Sequence, residues 1–518
     1  MEASRVTSAC MVVIVIIGLT WARRMLNWLW IRPKRLERLL RDQGLQGNPY
    51  RLFVGDLKEI LKIQSEAKSK PMNFSHDIVP QVFSYTQQSV NKHGKNSFIW
   101  FGPKPRVTLT DPELIKEVFN KMYDFQKPAN PLVKLLATGL INYEGEKWNK
   151  HRRIINPAFN LEKLKYMLPI FFKSCNNLII KWEEILSPDG SCEMDVWPFL
   201  QNLTSDVIAR AAFGSSYEEG KRIFQLLKEQ AELTMKVAMK VYIPGWRFLP
   251  TPAHRRMKEI NREIKASLTD MIKKREKALK TGEATKDDLL GILLESNHKE
   301  IQEHENNKNV GMSLNDVIEE CKLFYFAGQE TTAALLVWTM ILLSRYPDWQ
   351  ARAREEVVRV FGKQSPNFDG LSHLKIVTMI LYEVLRLYSP AVSLTRSVCK
   401  DMKLGNLSLP SGVQVSLATL MVHHDSELWG NDAKEFNPER FSEGVSKATN
   451  GRVSFFPFGW GPRICIGQNF SLVEAKMVLS MILQHFSFEL SPAYAHAPVS
   501  IITLQPQYGA HVILHKVN

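Results

Sequence analysis

The chain has 518 residues, of which 45% are hydrophobic and 23% are charged, which is the composition of a folded globular protein. This composition excludes a disordered chain, a collagen-like chain and a membrane protein with many spans. Lysine and arginine number 67 against 53 acidic residues, and the net charge of +14 favours an acidic protein partner or an anionic lipid surface. Nucleic acid is not expected as a partner, because no helix-turn-helix, zinc-finger or RNA-binding signature is present.

Residues 1–24 are predicted to form an N-terminal membrane anchor. Residues 6–22 carry no charge, close to the minimum of about 17 residues for a membrane-spanning helix, and Arg23 and Arg24 follow. Basic residues are concentrated after this apolar run, so the rest of the chain is expected on the cytoplasmic side. A cleaved signal peptide is the alternative, but no small-x-small cleavage site follows the run. Residues 25–60 then form a basic and aromatic connector.

Residues 61–518 are predicted to form a single, mainly helical domain with minor β-sheet, since no repeat or clear break interrupts them. A long helix is expected over 313–345, because Ser313 and Asp316 have capping-box spacing and Pro347 follows its end. A shorter helix is expected over 374–388, and the polar residues 297–312 read as a loop. Residues 407–409 and 413–417 predict a hairpin, and residues 499–504 and 511–514 predict a second strand pair.

The six cysteines are scattered and show no disulfide-like or C-x-x-C spacing, which favours a reducing, cytosol-facing environment. One of them lies in the most specific pattern of the chain. The segment FGWGPRICIG at residues 458–467 fits F-x-x-G-x-R-x-C-x-G at every fixed position.

This cysteine loop has the residues that a metal-bound thiolate needs. Glycines let the backbone approach a flat ligand, and amide N–H groups can hydrogen-bond to the sulfur of Cys465. Arg463 can pair with a carboxylate such as a haem propionate, and Phe458 can pack beside the sulfur. A buried structural cysteine is the plain alternative, but it does not require five fixed positions in ten residues. A dinucleotide loop is rejected because Ile464 stands where the third glycine would be.

With this loop, the sequence resembles the cytochromes P450, the haem-thiolate monooxygenases, along nearly its whole length. The resemblance implies the P450 fold with one N-terminal transmembrane helix and haem b as the cofactor. Cys465 would be the axial thiolate ligand of the haem iron, and Gly467 would belong to the haem-binding loop.

The resemblance also implies specific roles for two further motifs. Glu383-x-x-Arg386 alone would usually be a surface salt bridge, but in the family it joins Arg440 in a buried network that supports the cysteine loop. The segment AGQETT at residues 327–332 interrupts the long helix with residues of low helix propensity. There the family pattern places an acid at Glu330 and an oxygen-activating alcohol at Thr331, which can relay protons.

The resemblance also implies residues around the haem and the substrate. Trp148 and Arg152 match the W-x-x-x-R helix, and Arg152, Arg396 and Arg463 are candidates to pair with the haem propionates. Family geometry gives these substrate-pocket candidates: Leu323, Phe324, Ala327, Val392, Leu394 and Leu504. His423 and His424 are not spaced for one helix face and are interpreted as structural.

The expected partners are NADPH–cytochrome P450 reductase, the endoplasmic reticulum membrane and a hydrophobic small molecule. The chain has no flavin or NADPH motif, so its electrons must come from another protein. A basic cluster would form the docking face for the reductase: Lys147, Lys150, His151, Arg152 and Arg153. Residues 241–250 are apolar and aromatic, and two interpretations stay open: a buried connector, and the slightly preferred one, a membrane contact near the substrate entrance.

Residues 30–51, 326–332 and 458–470 resemble the plant group that contains secologanin synthase (family 72, subfamily A). That resemblance implies oxidation of a terpenoid: a triterpenoid or an iridoid before a gibberellin. The alternatives are a reductase-independent hydroperoxide isomerase or lyase, and a haem-binding protein without enzymatic activity. Both are disfavoured because neither needs the Glu330–Thr331 pair.

Overall fold

The fold is given by a computed structural model that describes residues 2–128, 136, 138–214, 217–238, 251–281, 288–303 and 310–517. Residues 241–250, where a membrane contact was predicted, lie outside the described residues. Helices make up most of the described chain. In order, they are α1 (Glu2–Leu26), α2 (Arg32–Arg41), α3 (Leu57–Lys68), α4 (Val79–Val82), α5 (Ser84–His93), α6 (Pro112–Asn120), α7 (Gly139–Asn142), α8 (Gly145–Ile155), α9 (Leu161–Ile185), α10 (Trp197–Phe213), α11 (Tyr217–Ala238), α12 (Pro252–Lys280), α13 (Leu289–Glu303), α14 (Leu314–Arg345), α15 (Pro347–Phe361), α16 (Phe368–His373), α17 (Lys375–Leu387), α18 (Thr419–His423), α19 (Ser426–Trp429), α20 (Val445–Ala448) and α21 (Gln468–His485).

The strands are short and lie mostly in the last quarter of the chain. They are β1 (Phe98–Phe101), β2 (Lys104–Leu109), β3 (Phe125–Gln126), β4 (Ser191–Asp195), β5 (Leu394–Val398), β6 (Met402–Leu404), β7 (Leu407–Leu409), β8 (Gln414–Leu417), β9 (Phe486–Leu490), β10 (Pro498–Ser500), β11 (Leu504–Pro506) and β12 (His511–Lys516). A five-stranded sheet has the order β1-β2-β8-β5-β3, a three-stranded sheet has the order β4-β12-β9, and two hairpins complete the set. The predicted fold class, mainly helical with minor sheet, is confirmed.

Both predicted strand pairings are wrong. β7 pairs with β6, whereas β8 lies parallel to β2 and antiparallel to β5. Likewise β10 pairs with β11, and β12 lies between β9 and β4. The predicted segments 407–409, 413–417 and 511–514 do form strands. However, β8 and β12 each have a partner about 300 residues earlier, β2 and β4, and local alternation carries no information about such partners.

The helix α14 forms the centre of the fold. The predicted capping box is present, since the Ser313 side chain accepts a hydrogen bond from the Asp316 amide and the Asp316 carboxylate accepts one from the Ser313 amide. All residues from Thr332 to Ser344 are buried, because the second half of the helix is apolar on every side. Its main packing partner is α10. The helix predicted over 374–388 is confirmed as α17.

The loop predicted over residues 297–312 begins too early. Residues 297–303 continue α13, and residues 304–309 lie outside the described part of the chain. Asn297 is buried here because its amide bonds the backbone of Met312 in both directions, at 2.6 and 3.0 Å. Glu300 is buried against Arg153. Polar residues that are satisfied within the fold were therefore mistaken for a solvated segment.

The N-terminal helix α1 is apolar and largely exposed, and it is long enough to cross a membrane. It continues through a π-helical turn, Asn27–Ile31, directly into α2. Leu36 and Leu40 of α2 are buried in a core cluster with residues of the five-stranded sheet. Part of the predicted connector therefore packs against the body of the fold.

Candidate active site

The cysteine loop contains a short 3-10 helix, Gly461–Arg463, and leads directly into the start of α21. Gly459 and Gly461 have φ of 73° and 70°, a left-handed conformation that other residues rarely adopt. A Cβ added at Gly461 would also lie 2.8 Å from the Asn120 side chain. The Cys465 amide donates to the Phe458 carbonyl at 2.9 Å, which closes the loop. The fixed positions Phe458 and Cys465 therefore close the loop through this hydrogen bond. Position 461 requires glycine, because its positive φ disfavours other residues and a side chain there would collide with Asn120.

The environment of the Cys465 sulfur suits a ligated thiolate. Burial raises the pKa of the Cys465 thiol, whereas a hydrogen bond from the Gly467 amide and the charge of Arg152 act in the opposite direction. The side chain keeps accessible surface although protein surrounds it, as expected of a residue that lines an internal space. In the part of the chain that the structure describes, no three His, Cys, Asp or Glu side chains gather around a possible metal ion. The chemistry of this donor set therefore fits a metal whose other ligands come from a prosthetic group.

A cluster of buried cations lies beside the cysteine loop. Arg463 binds the Glu144 carboxylate at 2.8 Å and also donates to the Tyr143 carbonyl. Burial and the charge of Arg463 lower the pKa of Arg396 to about 10. Burial and the charges of Arg396 and Arg463 also lower the pKa of Lys127. Three cations thus share one carboxylate, and the two propionates of haem b would balance them.

One atom in this cluster points to an anionic ligand. The Nε of Arg463 is buried and lacks a hydrogen-bond partner, which is rare for a guanidinium group. Lys127 and Glu144 were not predicted from the sequence, because a lone lysine and a lone glutamate outside any motif carry no signal.

The W-x-x-x-R helix, α8, lies against the same loop. The Arg152 guanidinium donates to the Ile464 carbonyl at 3.0 Å, one residue before Cys465. Trp148 is buried, and the Arg463 guanidinium lies 4.7 Å from the centre of its ring. Arg152, Arg463 and Trp148 are therefore brought together around the loop. Arg396 lies close enough to Arg463 for the Arg463 charge to lower its pKa, and its guanidinium donates to the Thr395 carbonyl at 3.0 Å.

The segment 327–332 lies within α14, and its first residue, Ala327, packs with Trp148 and Ile466 beside the cysteine loop. The Thr331 hydroxyl donates to the Ala327 carbonyl at 2.8 Å, a back-bond that weakens regular helix geometry. The Glu330 carboxylate accepts a hydrogen bond from the Thr503 hydroxyl at 3.0 Å. Burial raises the pKa of Glu330, and the Thr503 hydroxyl and the charge of Lys228 oppose this rise. The predicted acid and alcohol are thus present on this turn, and Thr503, a residue that family geometry places near the substrate pocket, makes a contact with Glu330 that was not predicted.

The next residue on α14 meets another unpredicted group. Thr332 donates to Ser471 of α21 at 3.1 Å, and Glu474 lies one turn further along that helix. Burial raises the pKa of Glu474 well above its ordinary value, and the Thr332 hydroxyl partly opposes this shift. Its Oε1 lacks a hydrogen-bond partner. The Glu474 carboxyl group is therefore buried between α14 and α21, where burial favours its neutral form.

The predicted charge network has a fully buried pair, Glu383 and Arg386, and a partly buried third member, Arg440. Arg386 binds Glu383 through two hydrogen bonds, while Arg440 lies 3.7 Å from the same carboxylate and binds Asp432 at 2.7 Å. The Arg386 guanidinium also donates to the carbonyls of His423 and Ala433. The His423 ring in turn accepts from the Phe456 amide at 2.9 Å, two residues before the cysteine loop. His423 thus connects the network to the loop, a role that sequence inspection did not assign.

The substrate-pocket candidates fall into three packing clusters. Leu323 and Ala327 pack with Trp148 and Ile466 beside the cysteine loop. Phe324, Val392 and Leu504 pack in the main core, and Leu394 packs against the cluster of the five-stranded sheet. Leu323 and Ala327 are therefore the candidates that the structure places next to the haem-side residues.

The predicted basic cluster on α8 is not one exposed patch. His151 is fully buried, and its ring binds Glu320 of α14 at 2.6 Å. Lys147 binds Asp316 at 2.7 Å, and Arg153 binds Glu300. The inclusion of His151 in an exposed basic cluster was wrong. Consecutive residues of a helix point in different directions, so one residue of a charged run can face the core while its neighbours face the solvent.

Comparison with known proteins agrees with this geometry. The family model described as Cytochrome P450 matches residues 72–509. A Medicago truncatula protein named Cytochrome P450 72A68 is 62% identical over 511 residues and covers 99% of this chain and 98% of its own length. An 11-oxo-beta-amyrin 30-oxidase of Glycyrrhiza uralensis is 61% identical over 524 residues, with 100% of both chains covered. The solved structure of retinoic acid bound cyanobacterial CYP120A1 has a TM-score of 0.72 at 25% identity, covering 84% of this chain and 94% of its own.

Proposed function

The chain belongs to the cytochrome P450 family and is a haem-thiolate monooxygenase, and we propose that it oxidises a triterpenoid in the endoplasmic reticulum membrane of a plant cell. The observation that carries the enzyme class is the Cys465 loop with its surplus of buried cations. The substrate class is supported by a 61% identical relative named as an oxidase of 11-oxo-beta-amyrin, a triterpenoid. An iridoid or gibberellin substrate is the alternative within terpenoids.

Haem, when bound, supplies the activation of dioxygen and the insertion of one oxygen atom into the substrate. Cys465 would hold the iron through Sγ, with the Gly467 amide hydrogen-bonded to that sulfur. Arg463, Arg396 and Lys127 would bind the propionates. Trp148 would cover the haem edge, and Leu323 and Ala327 would border the apolar space for the substrate.

Protons would reach the oxygen side through Glu330 and Thr331. Glu330 is partly buried and burial raises its pKa, which favours a carboxyl group that holds a proton and can pass it on. The Thr331 hydroxyl lies on the neighbouring residue and can pass that proton on, since it both donates and accepts. This pair is the feature that argues against a hydroperoxide isomerase, which consumes no external protons.

Electrons would come from NADPH–cytochrome P450 reductase. The face of α8 still presents Arg153, whose side chain is 64% exposed, although Glu300 and Asp316 partly neutralise its surroundings. Charge complementarity with an acidic reductase would increase the rate of encounter. The exposed helix α1 would hold the protein in the bilayer and leave the catalytic domain in the cytosol.

An optical titration tests the substrate class. The full-length haem protein in lipid nanodiscs is titrated with an oleanane-type triterpenoid, an iridoid glucoside and a gibberellin. We expect only the triterpenoid to displace water from the ferric haem and shift the Soret band to the high-spin form. A shift with only the iridoid or the gibberellin would contradict the triterpenoid assignment.

A matched pair of variants controls this titration. Ala327→Phe fills the space beside Leu323 and should abolish the shift. Leu61→Phe enlarges an exposed side chain outside the site and should leave the shift unchanged. Equal shifts in both variants would show that the ligand binds elsewhere.

A further inference from the structure

One short segment of the chain is bound twice by the helix α14. The Thr503 hydroxyl donates to the Glu330 carboxylate at 3.0 Å, and the Trp338 indole donates to the Leu504 carbonyl at 2.9 Å. Glu330 and Trp338 are about two helical turns apart on α14. The link between β10 and β11 therefore lies along this stretch of the helix.

This link has little freedom to move. The Leu504 amide donates to the Pro390 carbonyl at 3.0 Å, just beyond the end of α17. Trp338 and Leu504 are fully buried, and Thr503 is 3% exposed. Hydrogen bonds with Glu330 and Trp338 of α14, and with Pro390 after α17, thus hold Thr503 and Leu504 in place. They fix the position of the Thr503 hydroxyl relative to Glu330.

Glu330 depends on this hydroxyl for its position. In the described part of the chain, no other hydrogen bond to the Glu330 carboxylate is formed. Lys228 of α11 acts on it through charge alone. A carboxylate with a single hydrogen bond can rotate about its terminal torsion once that bond is lost, because such torsions have broad minima.

We propose that Thr503 is a positioning residue whose hydroxyl holds the Glu330 carboxylate in the orientation from which it passes protons to Thr331. Each proton that the carboxyl group gives up is replaced by one from water, so the residue is unchanged after each turnover. Thr503 is the last residue of the β10–β11 link, directly before Leu504. The backbone of this link therefore positions the Thr503 hydroxyl and, through it, the Glu330 carboxyl group. The inference rests on the proposed proton-relay role of Glu330.

The test compares Thr503→Val, which keeps the shape and removes the hydroxyl, with Thr503→Ser, which keeps the hydroxyl. The first measurement needs no turnover. The infrared carbonyl band that disappears in Glu330→Gln is followed against pH in the ligand-free haem protein. We expect Thr503→Val to move the midpoint upward, because the lost hydrogen bond favoured the ionised form, with about a tenfold change in the ionised fraction at a given pH. Thr503→Ser should leave the midpoint unchanged.

The second measurement is the amount of product formed per NADPH consumed. We expect Thr503→Val to lower it about tenfold, Thr503→Ser to retain it, and Thr503→Val to have no further effect in the Glu330→Gln background. The inference would be overturned if Glu330→Gln formed less product per NADPH while Thr503→Val kept both the normal yield and the normal infrared midpoint. Normal coupling in Glu330→Gln would instead remove the relay role itself. If Thr503→Val fails to retain haem, Thr503→Ala replaces it in the same comparisons.

Discussion

Arg386 and Glu383 bind each other through two hydrogen bonds of 2.7 and 2.8 Å, and both side chains are 0% exposed. The carboxylate also accepts the Asn437 amide at 3.0 Å, and the guanidinium donates to backbone carbonyls before the cysteine loop. Removing either partner would leave a buried charge without its counter-charge, which is far more costly than the pair is stabilising.

We therefore expect Glu383→Gln to destabilise the protein by about 3–5 kcal/mol and to reduce haem content sharply. Glu439→Gln is the matched control, since Glu439 forms an exposed pair with Arg352 at 3.1 Å in the same region. It should change stability by less than about 1 kcal/mol. Haem content and urea midpoints measure both, and equal effects of the two substitutions would contradict the structural role of the buried pair.

The cation cluster predicts how firmly haem is held. Arg463→Gln removes one of three cations beside the loop, and we expect haem transfer to an excess of apomyoglobin to become about 10–100-fold faster. Glu144→Gln removes the carboxylate that competes with the propionates, so transfer should not become faster.

Arg452→Gln serves as the control for this experiment, because Arg452 is an exposed cation outside the cluster. An unchanged transfer rate in Arg463→Gln, equal to that of Arg452→Gln, would show that the propionates bind elsewhere.

Glu474 predicts a dependence of stability on pH. Burial raises its folded-state pKa, so the folded protein keeps this proton while the unfolded chain releases it above the ordinary carboxyl pKa. The folded state is then relatively less stable as pH rises from the ordinary carboxyl range toward the raised pKa, because the folded state binds more protons. Glu474→Gln removes this effect.

We expect Glu474→Gln to be more stable than the unmodified protein at pH 7, by about 1–2 kcal/mol, and to match it near pH 4. Urea unfolding at several pH values measures the difference. Glu489→Gln, which changes an exposed side chain on β9, is the control. A Glu474→Gln protein that is less stable at pH 7 would mean that the carboxyl is ionised in the fold.

The Thr331 hydroxyl is expected to determine how efficiently protons are delivered during turnover. Thr331→Ala removes a hydroxyl beside Glu330, and we expect NADPH use to continue while product formation falls at least about tenfold and peroxide appears. Thr339→Ala is the matched control, since Thr339 makes the same back-bond, to Leu335 at 2.7 Å, two turns further along the helix. Unchanged coupling in Thr331→Ala would remove Thr331 from the relay.

Motifs that are local in the sequence were located correctly in the fold, and their chemical roles stay predictions. The cysteine loop, the AGQETT segment and the capping box at Ser313 each occupy a few consecutive residues, and each appears in the structure in the expected form. Family geometry also placed Trp148, Arg152 and Arg463 around one loop, where the structure shows them.

Features that depend on distant contacts were not accessible. The partner of β8 is β2, about 300 residues earlier, and alternation within 413–417 cannot identify it. His151 reads as one more cation in a basic run, yet its contact with Glu320, 169 residues away, buries it. Thr503, Lys127 and Glu474 lie outside any motif, so only the fold shows which charges and hydroxyls they meet.

The most direct test of the central claim is the carbon monoxide spectrum of the reduced full-length protein. The unmodified protein and Cys399→Ser, which alters an exposed cysteine outside the loop, should both show the red-shifted Soret band of a thiolate-ligated haem. Cys465→His, which offers a nitrogen ligand instead, should bind haem and lose that red shift. If Cys465→His kept the red-shifted band, Cys465 would not be the ligand and this account of the site would be wrong.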